Sequence, residues 1–187
     1  MGKIYGFQKN IGGVTMEAVI EMRIPREEVE RRAESILGRY GIKGIPVDPL
    51  VIASIEKIAV KNAVFKDQNV SGLISKQGNE ISIYVRNEDA ANRKKFTIAH
   101  ELGHFFLHLQ EVDGDFVEFS GAHQYENPNR EIEANQFASA MLMPRNHLET
   151  AWQMGLSIDE MAKKFGVSAD SMKYRLVDLG FLSVGMI

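Results

Sequence analysis

The sequence predicts an α+β fold with a small antiparallel β-sheet, one buried central helix and a helix-turn-helix-like segment near the carboxyl end. Short runs of β-forming residues, broken by turn residues, lie between positions 63 and 85. Most of the remaining chain has apolar residues at the helical spacing of three and four. A length of 187 residues, 44% of them hydrophobic, allows one compact domain, or one domain with a small appendage.

The amino-terminal part is expected to hold an extension followed by two helices. Residues 1–25 carry four glycines and no sustained periodicity, which predicts an irregular extension. Residues 26–40 place their apolar side chains on one stripe, as a helix would. Asp48 followed by Pro49 combines a capping side chain with a ring whose φ is preset, so a second helix is predicted over 50–59.

Three β-strands are predicted next, over 63–67, 70–75 and 80–85, and turn-forming residues join the last two. Three neighbouring strands of this length favour a small antiparallel sheet. Residues 81–85 are expected to offer a strand edge to an extended peptide, because such pairing uses the backbone instead of side chains.

The most apolar helix is predicted over residues 92–109, and it should be central because it is apolar almost all round. Residues 113–129 are rich in Gly, Asp and Asn and predict a loop. A helix over 129–143 follows and is stopped by Pro144. Another helix is expected over 145–154.

Composition excludes several classes of site. The chain has no cysteine, so disulfides, thiolate metal sites and cysteine nucleophiles are excluded. No apolar run approaches the roughly 20 residues of a membrane span, and the amino terminus lacks the features of a secretory signal. We therefore expect a soluble, cytoplasmic protein without a membrane partner. A net charge of −3 gives no general attraction for nucleic acid.

The central helix contains the pattern His100-Glu101-Leu102-Gly103-His104. On a helix the two histidines lie on one face, one turn apart, so their imidazoles can share one metal ion. Glu101 is offset by about 100°, which suits a general base acting beside the metal. Three polar side chains in an otherwise apolar helix need partners, and a metal would satisfy them.

A catalytic metal site needs a third protein ligand. His108 continues the same face, but eight residues of helix span about 12 Å, so it cannot share an ion with His100 and is expected to pack nearby. Glu131 and Glu133 cannot both face the metal. Because Glu131 and Asn135 are four apart and share a face, Asn135 could orient a histidine while Glu131 binds. Glu133 stays open as the alternative ligand.

Residues 96–108 (FTIAHELGHFFLH) and 131–144 resemble the two signature blocks of the ImmA/IrrE family of metallopeptidases. The resemblance implies a zincin-like domain of the glutamate type, with His100, His104 and Glu131 as metal ligands and Glu101 as the base. It also implies a protein substrate, notably a helix-turn-helix transcriptional repressor or an antitoxin. Zinc is the expected metal, although two histidines and a carboxylate also accept manganese or iron.

A transition-state donor is also expected, and His123 and Tyr125 in the long loop are the nearest candidates along the sequence. They would stabilise the charge that develops on the carbonyl oxygen of the substrate. Ordinary loop residues are the alternative interpretation of both.

The carboxyl end, residues 155–187, is predicted to form a helix-turn-helix-like region packed on a peptidase domain that spans 26–154. Its helices are expected over 158–165 and 169–179, with Ser168 as the cap of the second. Acidic and basic residues balance between positions 156 and 182: Asp159, Glu160, Asp170 and Asp178 against Lys163, Lys164, Lys173 and Arg175. Direct DNA binding is therefore not expected. The alternative function is a metal-bearing DNA- or protein-binding regulator without peptidase activity.

Overall fold

The structure is a computed structural model that describes residues 5–11, 14–20 (backbone only for these two ranges), 23–110, 114–120 and 128–183. Strands and helices are interspersed up to residue 120, and the regular elements described after that residue are helices. The order is β1 (Tyr5–Ile11), β2 (Val14–Ile20), α1 (Arg26–Arg39), α2 (Pro49–Ile55), β3 (Ala59–Ala63), β4 (Gly72–Gln77), β5 (Glu80–Arg86), α3 (Ala91–His104), β6 (Phe116–Ser120), α4 (Pro128–Leu142), α5 (Arg145–Gln153), α6 (Ile158–Phe165) and α7 (Ala169–Asp178). The α+β class is confirmed. Within the described ranges, no helix is long and apolar enough to cross a membrane.

The sequence predicted an irregular amino-terminal extension, but the structure has two strands there. Strands β1 and β2 pair antiparallel as a hairpin, with Tyr5 opposite Ile20 and Ile11 opposite Val14. Apolar and polar side chains alternate in Val14–Ile20, as in a strand. The glycines that precede this segment favoured the prediction of irregular structure instead. The prediction of irregular structure over 1–25 is therefore wrong for these two segments.

The main sheet has four strands in the described residues, in the order β3-β5-β4-β6. Strand β5 pairs parallel with β3 and antiparallel with β4, so the sheet is mixed and not purely antiparallel. Because β5 lies between two strands, residues 81–85 offer no edge, and that prediction is wrong. The outer strands are β3 and β6, and β6 pairs antiparallel with β4.

Two elements differ from the sequence prediction near α2. The helix begins as predicted, because the Asp48 side chain accepts a hydrogen bond from the backbone N–H of Leu50. It ends at Ile55, four residues early, and Lys57 takes a left-handed φ of 59°. The chain therefore turns into β3 over Ala59–Ala63 instead of forming a strand at 63–67.

The predicted helix over 92–109 is present, but its last turn changes type. Helix α3 runs to His104 and continues as a π-helical turn over Phe105–Leu109. Short π segments are rare and concentrate at functional sites. This turn follows directly after the second histidine of the His-Glu-x-x-His pattern.

The core lies between the sheet, α3 and α4. Fully buried side chains from each layer meet there, including Ile74, Ile83, Leu102, Phe137 and Met141. The predicted helix-turn-helix-like pair is confirmed as α6 and α7, with Ser168 capping α7, and its apolar residues join the same buried cluster.

A buried arginine ties the last helix to the body of the protein. Arg175 forms an ion pair with Glu30 of α1, and its Nε donates to the carbonyl of Met143 at 3.2 Å. Only 2% of the Arg175 side chain is exposed. Helix α7 is therefore held on α1 and on the residue that follows α4 by polar contacts as well as apolar packing.

Candidate metal centre

Helix α3 brings His100 and His104 together on its buried face. Their exposed fractions are 5% and 0%, and their Nε2 atoms lie 3.0 Å apart. Two ligands held about 2.0–2.1 Å from one tetrahedral ion stand roughly 3.3 Å apart. The observed separation is close to that value, so both imidazoles point their Nε2 atoms at one site.

Helix α4 supplies the third donor, Glu131. Its Oε1 lies 3.1 Å from His104 Nε2 and its Oε2 lies 3.5 Å from His100 Nε2. The donor atoms of these three residues all fall within 4.8 Å of one another. One metal ion could be held by all three.

A glycine allows α4 to come this close. A Cβ atom added at Gly103 would lie 3.0 Å from both the Cα and the carbonyl oxygen of Ala134. Real Cβ atoms essentially never stand closer than this to backbone atoms, and nine in ten contacts are wider. Gly103 therefore sets the approach of the two helices that supply the donors.

Each histidine has an oxygen partner at its other ring nitrogen. His100 Nδ1 lies at hydrogen-bond distance, 3.0 Å, from Asn135 Oδ1. His104 Nδ1 lies 3.3 Å from Glu118 Oε1, which is an ion-pair distance, but the two groups do not meet hydrogen-bond geometry. When a metal is bound, an oxygen partner at Nδ1 holds a histidine in the tautomer that leaves Nε2 free for the ion, and it raises the basicity of the imidazole. Asn135 therefore lies beside His100, where the sequence predicted that it could orient a histidine, while Glu118 comes from β6 within the predicted loop.

Glu101 is fully buried beside the two histidines. Its Oε1 accepts a hydrogen bond from Ser120 Oγ at 2.5 Å, whereas Oε2 has no partner among the described residues. Burial raises the pKa of Glu101, and the neighbouring histidines oppose that rise. Gly72 makes room for this carboxylate, since a Cβ there would lie 2.7 Å from Oε1.

The charges around the donors favour a cation. Burial alone would lower the pKa of His104, but Glu118 and Glu131 raise it to about 10. Burial would raise the pKa of Glu131, but its contacts with His100 and His104 lower it to about 2. Three carboxylates, including Glu101, surround these imidazoles, and a divalent ion would neutralise them better than a single proton. The chemistry and spacing of the donors therefore fit a metal ion.

The donors open onto a small cleft of about 200 Å³. Its described lining consists of three hydroxyl side chains, one phenyl ring, one cation, one carboxylate, one amide and one imidazole. These residues are Ser71, Thr97, Ser120, Phe96, Arg93, Glu131, Asn135 and His100. A larger cavity of about 650 Å³ lies at β3, α2 and the first turns of α3, and contains no histidine or glutamate among the residues that line it.

Comparison with known proteins agrees with this arrangement. The sequence profile described as the IrrE N-terminal-like domain, Peptidase_M78, matches residues 53–177. The chain belongs to the ImmA/IrrE family of metallopeptidases. The match covers α3, β6 and α4, which together hold the whole donor cluster.

Two individual proteins show how far this likeness extends. Metallopeptidase ImmA of Bacillus subtilis (strain 168) is 24% identical over 157 residues, which are 83% of this chain and 88% of ImmA. A solved structure described as a Mycobacterium tuberculosis transcriptional regulator superposes with a TM-score of 0.58 at 17% identity. That match covers 81% of this chain but only 46% of the regulator, and it shows a shared fold. Membership of the ImmA/IrrE family and the His-His-Glu cluster together indicate a metal-binding peptidase.

His108 and Glu133, which the sequence analysis also considered for the metal site, do not join the donor cluster. His108 Nε2 lies 2.8 Å from Glu133 Oε2, and Glu133 Oε1 accepts a hydrogen bond of 2.6 Å from the backbone N–H of Ile24. Both carboxylate oxygens of Glu133 are thus occupied away from the histidine pair. The ring of His108 lies near that of His104, with 5.5 Å between centroids and an angle of 57° between the ring planes, and burial lowers the pKa of His108.

His123 and Tyr125, the predicted transition-state donors, lie outside the described residues. Sequence analysis also overlooked Glu118, Ser120 and Arg93, which flank the candidate centre. The run Phe-Val-Glu-Phe-Ser over Phe116–Ser120 was the available signal, because aromatic and β-branched residues favour strands. The polar residues on both sides of this run led instead to the prediction of a loop over 113–129.

Proposed function

We propose that this chain is a zinc-dependent endopeptidase in which His100, His104 and Glu131 hold the metal and Glu101 is the general base. The observation that carries the proposal is the convergence of three donor atoms within 4.8 Å. Glu101 adjoins this cluster on the same helix and has one unpartnered carboxylate oxygen. Zinc suits two imidazoles, one carboxylate and an open fourth position, although manganese or iron would also accept these ligands.

When bound, the ion would lower the pKa of a water molecule and polarise a peptide carbonyl. Glu101 would be the proton carrier: its Oε2 would accept a proton from the water that attacks the peptide carbonyl, and would return it to the amide nitrogen as the C–N bond breaks. Ser120 donates a 2.5 Å hydrogen bond to Oε1, which orients the carboxylate. Burial raises the pKa of Glu101, which brings it closer to the pH at which it must both take and return a proton.

The proposed substrate is a regulatory protein such as a helix-turn-helix repressor or an antitoxin. The sequence blocks around His100 and Glu131 support it through their resemblance to the family, and one structural relative is described as a transcriptional regulator. Cleavage of such a protein implies that the enzyme acts in the cytoplasm.

The alternative is a metal-bearing regulator that binds DNA or protein through α6 and α7 without cleaving a peptide. The helix-turn-helix-like form of this pair favours it. Arg175 argues against DNA as the partner, because this side chain is buried against Glu30 and cannot reach a phosphate. The pair is better suited to completing the core and docking a protein.

Cleavage of candidate repressors and antitoxins encoded beside this protein tests the proposal. The full chain, loaded with zinc, should cut at least one of them, as seen by gel electrophoresis and by mass spectrometry of the fragments. Glu101→Gln should bind zinc but not cut, whereas Glu88→Gln, at an exposed glutamate, should cut like wild type. Cleavage that persists in Glu101→Gln or in the presence of a chelator would refute the proposal.

A further inference from the structure

The cleft beside the donor cluster contains one cation, Arg93, among the lining residues that the structure describes. Glu131 is the one carboxylate in that lining and is occupied by the histidines. Arg93 precedes His100 by seven residues on α3, and seven steps of about 100° bring it back to within about 20° of the same face. Arg93 therefore lines the same cleft as His100, and its backbone position is about 10.5 Å farther along the helix axis.

The contacts of Arg93 leave its guanidinium directed mainly at solvent. Its Nε lies 4.0 Å from Asp89 Oδ2, and 65% of its side chain is exposed. An exposed ion pair at that distance is weak. Arginine holds carboxylates through two parallel N–H···O bonds, so an incoming carboxylate could compete with Asp89 for this side chain.

The side chain of Phe96 lines the cleft between the positions of Arg93 and His100 on α3. It is four residues before His100, half-buried, and lines the same cleft. A peptide that lies along the cleft would therefore meet an aromatic ring first and the guanidinium about one turn farther out. An extended chain advances about 3.3 Å per residue, so 10.5 Å corresponds to about three residues.

We propose that Arg93 determines specificity by binding a carboxylate of the substrate about three residues from the cleaved bond. The inference rests on the proposed peptidase function and adds the chemical class of the substrate. The carboxylate can belong to an acidic side chain or to a free carboxyl terminus. Phe96 favours an apolar residue between that carboxylate and the cleaved bond.

Binding to a zinc-loaded Glu101→Gln protein tests this proposal without turnover. The probes are fluorescein-labelled, amidated decapeptides of Ala and Ser with a central Leu-Leu pair. One Glu stands three residues before or after the pair, and each of these probes has a Gln counterpart. One further probe has no Glu and is not amidated, so that its free carboxyl terminus lies at the same distance from the pair. Fluorescence anisotropy should show one Glu position or the free terminus bound about 2- to 5-fold more tightly than its neutral counterpart, the gain expected of an exposed ion pair.

Variants at two adjacent residues provide the matched comparison. Arg93→Gln should abolish the preference for the carboxylate, and Arg93→Glu should reverse it in favour of a Lys probe. Lys94→Gln should change nothing, because Lys94 donates to Asn62 and lines the cavity at β3 instead. A preference that survives in Arg93→Glu, or equal binding of acidic and neutral probes by the parent protein, would overturn the proposal.

Cleavage of the same probes by the zinc-loaded wild type separates this inference from the proposed function. Cleavage with no preference for a carboxylate would reject the role of Arg93 and leave the peptidase intact. Carboxylate-selective binding without cleavage of any probe or candidate protein would support Arg93 as a recognition residue and count against the peptidase.

Discussion

The contact between Gly103 and Ala134 can be tested by adding a single methyl group. In Gly103→Ala the new Cβ would meet the Cα and carbonyl oxygen of Ala134 at 3.0 Å and its Cβ at 3.3 Å. Backbone atoms cannot rotate away, so α3 and α4 must separate by a few tenths of an ångström. Overpacking of this kind costs about 1–3 kcal/mol. Glu131 lies one turn before Ala134 on α4, so the same movement should weaken metal binding.

Gly38→Ala is the matched control, because a Cβ at Gly38 of α1 meets nothing within 4 Å. Both changes gain up to about 1 kcal/mol of helix propensity, so the difference between the two variants isolates the packing cost. Urea denaturation of the metal-free proteins should place Gly103→Ala about 1–3 kcal/mol below Gly38→Ala. Chelator competition should show weaker metal binding for Gly103→Ala alone. Equal stability and equal metal affinity in the two variants would refute the reasoning.

Three further predictions concern the surroundings of the centre. Glu118→Gln should lower metal affinity by about 10–100-fold, since it weakens the partner of His104; unchanged competition with a chelator would contradict this. Because the pKa of His104 is about 10 without metal, the ring is protonated at pH 7.5, and metal binding should release about one proton. Calorimetry in buffers of different ionisation enthalpy measures that release, and a value near zero would count against it. Arg175→Met should cost about 3–5 kcal/mol, because Glu30 would keep a buried charge without its partner; urea denaturation tests this, and a loss below 1 kcal/mol would disprove it.

The central helix and the helical carboxyl end were predictable because their patterns are local. The spacing of His100 and His104 is defined within one turn of helix, and the apolar residues around them indicate burial without any knowledge of the fold. Ser168 and Asp48 likewise cap helices through bonds to residues two or three positions away. Such interactions are determined by neighbouring residues.

The remaining parts depend on distant partners. Strand β6 is defined by its pairing with β4, where Phe116 stands opposite Lys76 and Ser120 opposite Gly72, 40 and 48 positions away in the chain. Strand β3 likewise pairs with β5 across more than 20 residues. Glu118 and Ser120 therefore reach the candidate centre through long-range pairing that no local pattern encodes.

The choice between Glu131 and Glu133 also depended on tertiary structure. Both glutamates lie near the start of α4, and sequence spacing favoured Glu131 only through Asn135. In the structure Glu133 is buried with His108 and the backbone of Ile24, whereas Glu131 faces the histidine pair. The distinction arises because α4 packs between α1 and α3.

Metal content of four proteins purified without added metal tests the central claim most directly. Inductively coupled plasma mass spectrometry should find about one equivalent of metal in wild type, Glu101→Gln and Glu133→Gln. Glu131→Gln should have lost most of it, because only this change removes a donor from the cluster. Loss of metal from Glu133→Gln but not from Glu131→Gln, or a wild type that neither retains nor can be reconstituted with metal, would contradict the proposed metal centre.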